Sequence, residues 1–271
     1  MIMNTALETK NLAHDELLRF EHVHITFGER ELVHDISFSL KAGEILGIAG
    51  ESGSGKSSLI RAALGLLGNS GRVSLGSIYY KGDNILEYSQ SQMQKLRGAE
   101  IGMIFQDSAS SLCPIRRIGS QMYESMKAHM KISKAQAENK ALDLLEKLGL
   151  EDPKAILKSY PFELSGGMNQ RVGIALSMLL QPHVLLADEP SSALDVIVQE
   201  QVLCEFKKLN RLFNTAIILI SHDIALLGSL ADKILVLEDG SCMDYGSRDE
   251  IFSSKSSPYT QELLKAIPYL H

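Results

Sequence analysis

With 271 residues, 45% hydrophobic and 22% charged, the chain has the balance of a soluble globular protein that buries its core as one large domain or two closely joined ones. A net charge of −6, with no strongly basic segment, argues against a nucleic-acid surface. Three widely spaced cysteines (Cys113, Cys204, Cys242) form no CxxC pair and are expected to be reduced, mostly buried thiols in the cytosol rather than a disulfide or metal framework.

Met1 to Glu16 is polar, shows no signal-peptide core, and is expected to be a flexible tail, residues 1–16. Residues 19–27 alternate apolar and polar (Phe20, Val23, Ile25, Phe27), and residues 31–40 read as a second strand. After Gly43, the run Glu44 to Ala49 predicts a strand buried on both faces, followed by a glycine loop and a helix from Lys56 to Leu67. Ile101 to Phe105 is a further apolar strand. From Ile118 to Leu150 the pattern turns helical, with Ala141, Leu142, Leu144, Leu145 and Leu148 on one face and a stop near Gly149 and Pro153. This section reads as a helical subdomain inserted into an α/β core. The core resumes with a strand at Val184 to Ala187, a helix near 195–211 and a strand from Thr215 to Ile220. Lys233 to Leu237 and Ser241 to Tyr245 flank Asp239-Gly240, a hairpin signal, and residues 247–271 read as a short helical tail. Strands alternating with helices favour a largely parallel sheet. No apolar run reaches the roughly 20 residues that a membrane helix needs, so any work at a membrane would be done through partners.

Three fragments carry chemistry. Gly50-Glu51-Ser52-Gly53-Ser54-Gly55-Lys56-Ser57 fits G-x-x-x-x-G-K-[ST] between a strand and a helix. Its glycines let backbone N–H groups curl around phosphates, Lys56 adds a point charge near the β- and γ-phosphates, and Ser57 can ligate Mg²⁺. Asp188 ends a buried strand and can hold Mg²⁺, while Glu189 is placed to orient or deprotonate an attacking water. Ser165-Gly166-Gly167 opens an apolar helix as a nest of backbone donors suited to an anion. Alone, that tripeptide would read as an ordinary capped helix, and the acidic pair as a common strand end.

Leu164-Ser165-Gly166-Gly167-Met168-Asn169-Gln170-Arg171, lying between the phosphate loop and Asp188-Glu189, resembles the signature of ABC transporter ATPases. The likeness runs from about Arg19 to Pro268. It implies the ABC ATPase fold: a P-loop NTPase core with a largely parallel sheet, an N-terminal antiparallel β part and an inserted helical subdomain. The resemblance then places the ATPase domain at 17–246, its helical subdomain at about 107–165 and a C-terminal extension at 247–271. It makes Gln106 the Q-loop glutamine that senses the γ-phosphate and Mg²⁺, and Ser192-Ala193-Leu194-Asp195 the D-loop that crosses a dimer interface. It makes His222 the switch histidine and Phe27 the aromatic that stacks on adenine. Ser58 joins the phosphate-binding set, and Mg²⁺ falls to Ser57, Gln106 and Asp188. A lone Gln or His at a strand end is more often structural, and a strand Phe is often core; order and spacing together favour the family reading.

Within the family the chain looks most like the oligopeptide, dipeptide and nickel uptake group. That rests on Phe105-Gln106-Asp107 with Ser111-Leu112 and Pro114, on Met168, and on Ser257-Pro258-Tyr259-Thr260 followed by Leu263-Leu264 and Ala266-Ile267-Pro268. Ser108 and Cys113 depart from the group's usual proline and asparagine in a loop that faces the membrane partner. The resemblance implies ATP and Mg²⁺ as cofactors and a second ATPase subunit, identical or homologous, as partner. It further implies two transmembrane permease subunits, an extracellular substrate-binding protein, and a place on the cytoplasmic face of the cell membrane. An ATPase of a non-transport complex of the phosphonate-metabolism type is the alternative. His22, His24 and His34, lacking carboxylates at ligand spacing, are expected to be solvated or capping. Lys127 to Lys140 is expected to be a solvated helix face, and Met93, Met103, Met122 and Met126 core filler.

Overall fold

The computed structural model describes the backbone of residues 16–106, 111–190 and 196–266, and the side chains of these except 196–201. Alternation builds the first sheet. In β1 (Glu16–Phe27) the residues Leu18, Phe20, Val23 and Ile25 are buried, and β2 (Arg30–Lys41) buries Val33, Ile36, Phe38 and Leu40 against them. Phe20 and Phe38 stack at 4.4 Å across this antiparallel pair, worth about 0.5–1.5 kcal/mol beyond burial. Glu16 lies in β1 rather than in the expected tail; the rest of that tail lies outside the described residues. Two elements without a clear sequence signal, β4 (Gly71–Tyr80) and β5 (Asp83–Asn84), complete the sheet in the order β2-β1-β4-β5.

The second sheet is the platform of the site. It comprises β3 (Ile45–Gly50), β6 (Ile101–Ile104), β7 (Val184–Asp188), β8 (Ala216–Ile220), β9 (Lys233–Glu238) and β10 (Ser241–Ser247), ordered β10-β9-β3-β8-β7-β6. All neighbours are parallel except the β9–β10 hairpin, whose turn uses positive φ at Asp239 and Gly240. Its strands alternate between two cores. Leu46, Ile48, Leu186 and Ile218 face the antiparallel sheet and the helix that follows the glycine loop, while Ile45, Ala49, Leu185 and Ile217 face the other core, built on the later helices. Burial on both faces explains the continuous apolar runs.

The helix after the glycine loop, α1 (Lys56–Ala63), stops before the expected Leu67, because Gly65 adopts φ 60° and Leu66 N donates back to Arg61 O. A short helix not read from the sequence, α2 (Gln90–Leu96), starts with a Ser89/Gln92 capping box. The expected helical stretch 118–150 divides into α3 (Ile118–His129) and α4 (Lys134–Lys147), since Met130 is extended and a Ser133/Gln136 capping box begins a new helix. Ala141, Leu144, Leu145 and Leu148 are buried and Leu142 packs at their edge; Lys127, Lys131, Lys134 and Lys140 are exposed. Asp152 then caps α5 (Pro153–Lys158), where Pro153 takes the first helical position.

The remaining helices are α6 (Gly166–Met178), α7 (Val196–Phe213), α8 (Ile224–Leu230), α9 (Arg248–Ile251) and α10 (Pro258–Lys265). Met93, Met122 and Met126 are buried and Met103 is packed against the core, as expected. The cysteines correct the expectation of burial: Cys113, in the loop before α3, is half-buried, and Cys204 and Cys242 are exposed on the outward sides of their helix and strand. No described helix is long and apolar enough to cross a membrane.

Candidate active site

Parallel strands bring the sequence-predicted residues to one edge. The phosphate loop leaves the C-terminal end of β3, His222 follows β8, Asp188-Glu189 ends β7, and Gln106 follows β6. Register aligns these ends, with Ile48 beside Ile220, Asp188 beside Ile220, and Ile104 beside Ala187. Ligands in open α/β sheets bind outside the carboxyl ends of the strands, and the four segments meet there.

The loop is shaped by glycine where nothing larger fits. Gly50 has φ 146°, and a Cβ there would lie 2.1 Å from Leu237 O. Gly55, at φ 94°, turns the chain into α1, whose first backbone N–H groups point back over the loop. Ser52 and Gly53 form its exposed tip, while Ser54 is buried. Lys56 is only 4% exposed. Its ammonium donates to Gly50 O at 2.8 Å, Glu51 O at 2.6 Å and Ser54 Oγ at 3.4 Å. Burial pushes its pKa below the ordinary lysine value, although Glu189, Asp188 and Glu51 favour the charged form.

Ser57 Oγ donates to Asp188 Oδ1 at 2.7 Å, joining loop and acidic strand end. Asp188 is 1% exposed and receives Arg61 Nη2 on its other oxygen at 3.1 Å. Sequence reading missed Arg61, yet the signal was present: it lies four residues after Ser57 on α1 and so shares its face. A hydroxyl and a carboxylate, both oxygen donors beside a phosphate loop, fit the hard, oxygen-seeking Mg²⁺, which is held by one or two carboxylates with phosphates and other oxygen donors. Among the described residues there is no group of three or more His, Cys, Asp or Glu that could hold a metal by itself.

Glu189 sits at φ 44°, a left-handed conformation unusual for a side chain of this kind, and its carboxylate lies 3.9 Å from His222 Nδ1. Gln106 is exposed at the end of its strand, and Ser58 continues α1. Ser165 caps α6, its hydroxyl accepting from Met168 N at 3.3 Å, with Gly166 open to solvent and Gly167 half-buried at the helix start. Among the described residues no hydrogen bond joins Ser165, Gly166 or Gly167 to the phosphate loop. The link from α6 to the site runs instead through Gln170, whose side-chain amide donates to Pro190 O next to Glu189. Phe27 ends β1 half-buried, its ring against Gly71. Ser192 to Asp195 lies outside the described residues, as do Asp107 and Ser108.

The histidines discounted above do meet carboxylates. The β1–β2 hairpin sets His22 Nδ1 2.6 Å from Asp35 and His24 Nδ1 2.6 Å from Glu31, with His34 Nδ1 3.5 Å from the same Glu31. Sequence spacing could not reveal His22–Asp35 and His24–Glu31, because register across strands creates them, whereas His34 and Glu31 stand three residues apart on β2.

A sequence profile described as ABC transporter matches residues 33–192, more than half of the chain. The oligopeptide transport ATP-binding protein OppD of Escherichia coli (strain K12) is 43% identical over 260 residues, spanning 94% of this chain and 77% of that protein. The metal-staphylopine import system ATP-binding protein CntD of Staphylococcus aureus (strain NCTC 8325 / PS 47) is 40% identical over 251 residues, 92% of each. Among solved structures, cbiO1 from Clostridium perfringens, part of the ABC transporter complex cbiONQ, superposes with a TM-score of 0.78 at 25% identity, covering 94% of this chain and 96% of that one. The ATP-binding cassette MJ0796, solved as a dimer bound to ADP and Pi, gives 0.73 at 25% identity over 86% and 99%. With profile, relatives and fold in agreement around this strand edge, the chain belongs to the ABC transporter family.

Proposed function

We propose that the chain is the ATP-binding and ATP-hydrolysing subunit of an importer for peptides, nickel or metal chelates. The observation that carries the reading is the Ser57–Asp188 hydrogen bond at 2.7 Å, which places the phosphate loop directly on the acidic strand end that carries Glu189. Relatives named for oligopeptide, dipeptide and metal-staphylopine import support peptides and metal chelates as cargo, and nickel rests on the resemblance of the sequence alone.

In this reading residues 17–246 form the ATPase domain, about 107–165 its helical subdomain, and 247–271 the C-terminal extension. The loop from Gly50 to Ser58 cradles the phosphates, Lys56 shifts from its own loop oxygens toward them, and Phe27 borders the adenine. Bound Mg²⁺, held by Ser57, Asp188 and Gln106, would neutralise phosphate charge. Glu189 orients a water and takes its proton, and His222 helps to hold Glu189 and the γ-phosphate end. Ser165, Gly166, Gly167 and Asp195 serve a nucleotide on a second ATPase subunit, identical or homologous. That no hydrogen bond among the described residues joins Ser165 to the chain's own phosphate loop is consistent with that assignment. A γ-phosphate touching both subunits favours the closed pair, and its loss reopens it, a population shift set by differential contacts.

The closing motion would move two permease subunits at the cytoplasmic face of the membrane, with an extracellular binding protein delivering cargo. Purification of the tagged chain from membranes tests this. Co-purification of polytopic permeases with ATP-dependent phosphate release supports it; recovery in a complex without any membrane protein contradicts it.

A further inference from the structure

The phosphate loop is also held from outside its own motif. Tyr259, on the first turn of α10, lies 208 residues from Glu51 in the chain, and its hydroxyl oxygen accepts the Glu51 backbone N–H at 3.2 Å. Glu51 is engaged on its other side too, its carbonyl receiving Lys56 Nζ at 2.6 Å and Ser54 N at 3.3 Å. Rotation at Glu51 would therefore displace the resting point of the Lys56 ammonium.

The helix that carries Tyr259 is itself anchored. Asp244 on β10 accepts Ser257 N at 2.9 Å and the hydroxyl of fully buried Thr260, while Ser257 Oγ caps the helix by accepting Thr260 N at 3.2 Å. Burial alone would raise the Asp244 pKa, yet hydrogen bonds from Ser257 and Thr260 hold its carboxyl below the ordinary value, so the anchor is ionised. Tyr259, Leu263 and Leu264 pack on the core. α10 also touches α8, the helix that starts two residues after His222. Two segments at the nucleotide edge are thus braced by one C-terminal helix.

We propose that Tyr259 is a positioning residue for ATP, fixing the Glu51 peptide so that the phosphate loop is held in its nucleotide-accepting form. The inference rests on that loop being the ATP site. The hydroxyl does not need to touch the nucleotide; it lowers the cost of ordering the loop on binding.

The test is Tyr259→Phe in the full chain, which keeps the ring and removes only the hydroxyl. ATP affinity is read by calorimetry, and phosphate release is read in the assembled complex. Loss of one hydrogen bond should weaken ATP binding and raise KM about 2- to 10-fold, with kcat changed less than about twofold. Tyr245→Phe is the control, because its hydroxyl bonds the Ser39 backbone at 3.2 and 3.4 Å, away from the loop. It should keep wild-type KM. Unchanged affinity in Tyr259→Phe, or an equal KM shift in both variants, overturns the proposal. Lys56→Ala separates the two levels of the argument. If it leaves ATP binding intact, the loop reading fails; if it abolishes binding while Tyr259→Phe is silent, the role of Tyr259 alone fails.

Discussion

Ser57 and Asp188, 131 residues apart in the chain, are joined by a 2.7 Å hydrogen bond from Ser57 Oγ to Asp188 Oδ1. The bond exists because α1 starts at the end of β3 and β7 ends only two strands away, with β8 between them. Arg61 holds the second carboxylate oxygen, so Asp188 is fixed before any ligand arrives. Asp188→Asn keeps an acceptor for Ser57 but removes the charge. Its amide NH2 would face the Arg61 donor, so the variant should fold with a lowered melting temperature, while the Mg²⁺ concentration for half-maximal hydrolysis rises about 10- to 100-fold. A titration of phosphate release with Mg²⁺ at saturating ATP checks this; an unchanged midpoint would remove Asp188 from the metal site.

Glu189 carries the proton-transfer role in the proposed chemistry. Its left-handed backbone at φ 44° aims the side chain off the strand end, 3.9 Å from His222. Glu189→Gln preserves size and hydrogen bonding but cannot accept a proton. Turnover should drop about 10²- to 10⁴-fold, with ATP binding retained. Calorimetry and phosphate release on the same preparation decide it. Near wild-type hydrolysis would be incompatible with Glu189 acting as the base.

Most of the core and of the candidate site was legible because both depend on local signals. The phosphate loop between β3 and α1, the apolar run of β7 ending in Asp188-Glu189, and the Asp239-Gly240 hairpin each announce themselves within a few residues. β4 was not legible: Gly71 to Tyr80 holds Gly76 and exposed Leu75 and buries only Ile78 and Tyr80, so its alternation is weak. The pairs His24–Glu31 and Tyr259–Glu51 arise from register and from docking of distant segments, which no window of sequence contains. The break between α3 and α4 was readable after the fact, from Ser133 and Gln136 at capping-box spacing.

The loop glycines differ in what they tolerate. Gly50→Ala would place a Cβ 2.1 Å from Leu237 O and 2.9 Å from Ser54 Oγ at φ 146°. Backbone carbonyl atoms in a central strand cannot yield easily, so the change should cost about 3 kcal/mol or more. Gly53→Ala meets no atom within 4 Å and carries only the strain of φ 88°, about 1–2 kcal/mol. Urea unfolding of the two variants side by side measures the difference. Equal stabilities would mean that Gly50 is chosen for its conformation alone.

Lys56 gives the binding step a pH dependence with a definite sign. Its ammonium is buried, and burial lowers its pKa from the ordinary 10.5, against the pull of Glu189, Asp188 and Glu51. In the free protein it therefore loses its proton earlier on the alkaline side than an exposed lysine does. Only the protonated form offers a positive charge to the phosphates, so affinity is full below the lowered pKa and declines as pH rises through it. ATP affinity measured by calorimetry from neutral to alkaline pH should start to fall before pH 10.5 is reached. The neutral isostere separates this limb from any other titration. Lys56→Met should bind ATP weakly at all pH values and show no such decline. A wild-type affinity that stays flat up to the ordinary lysine value would mean that the ammonium is not desolvated in the free protein, or that it is not what the phosphates meet.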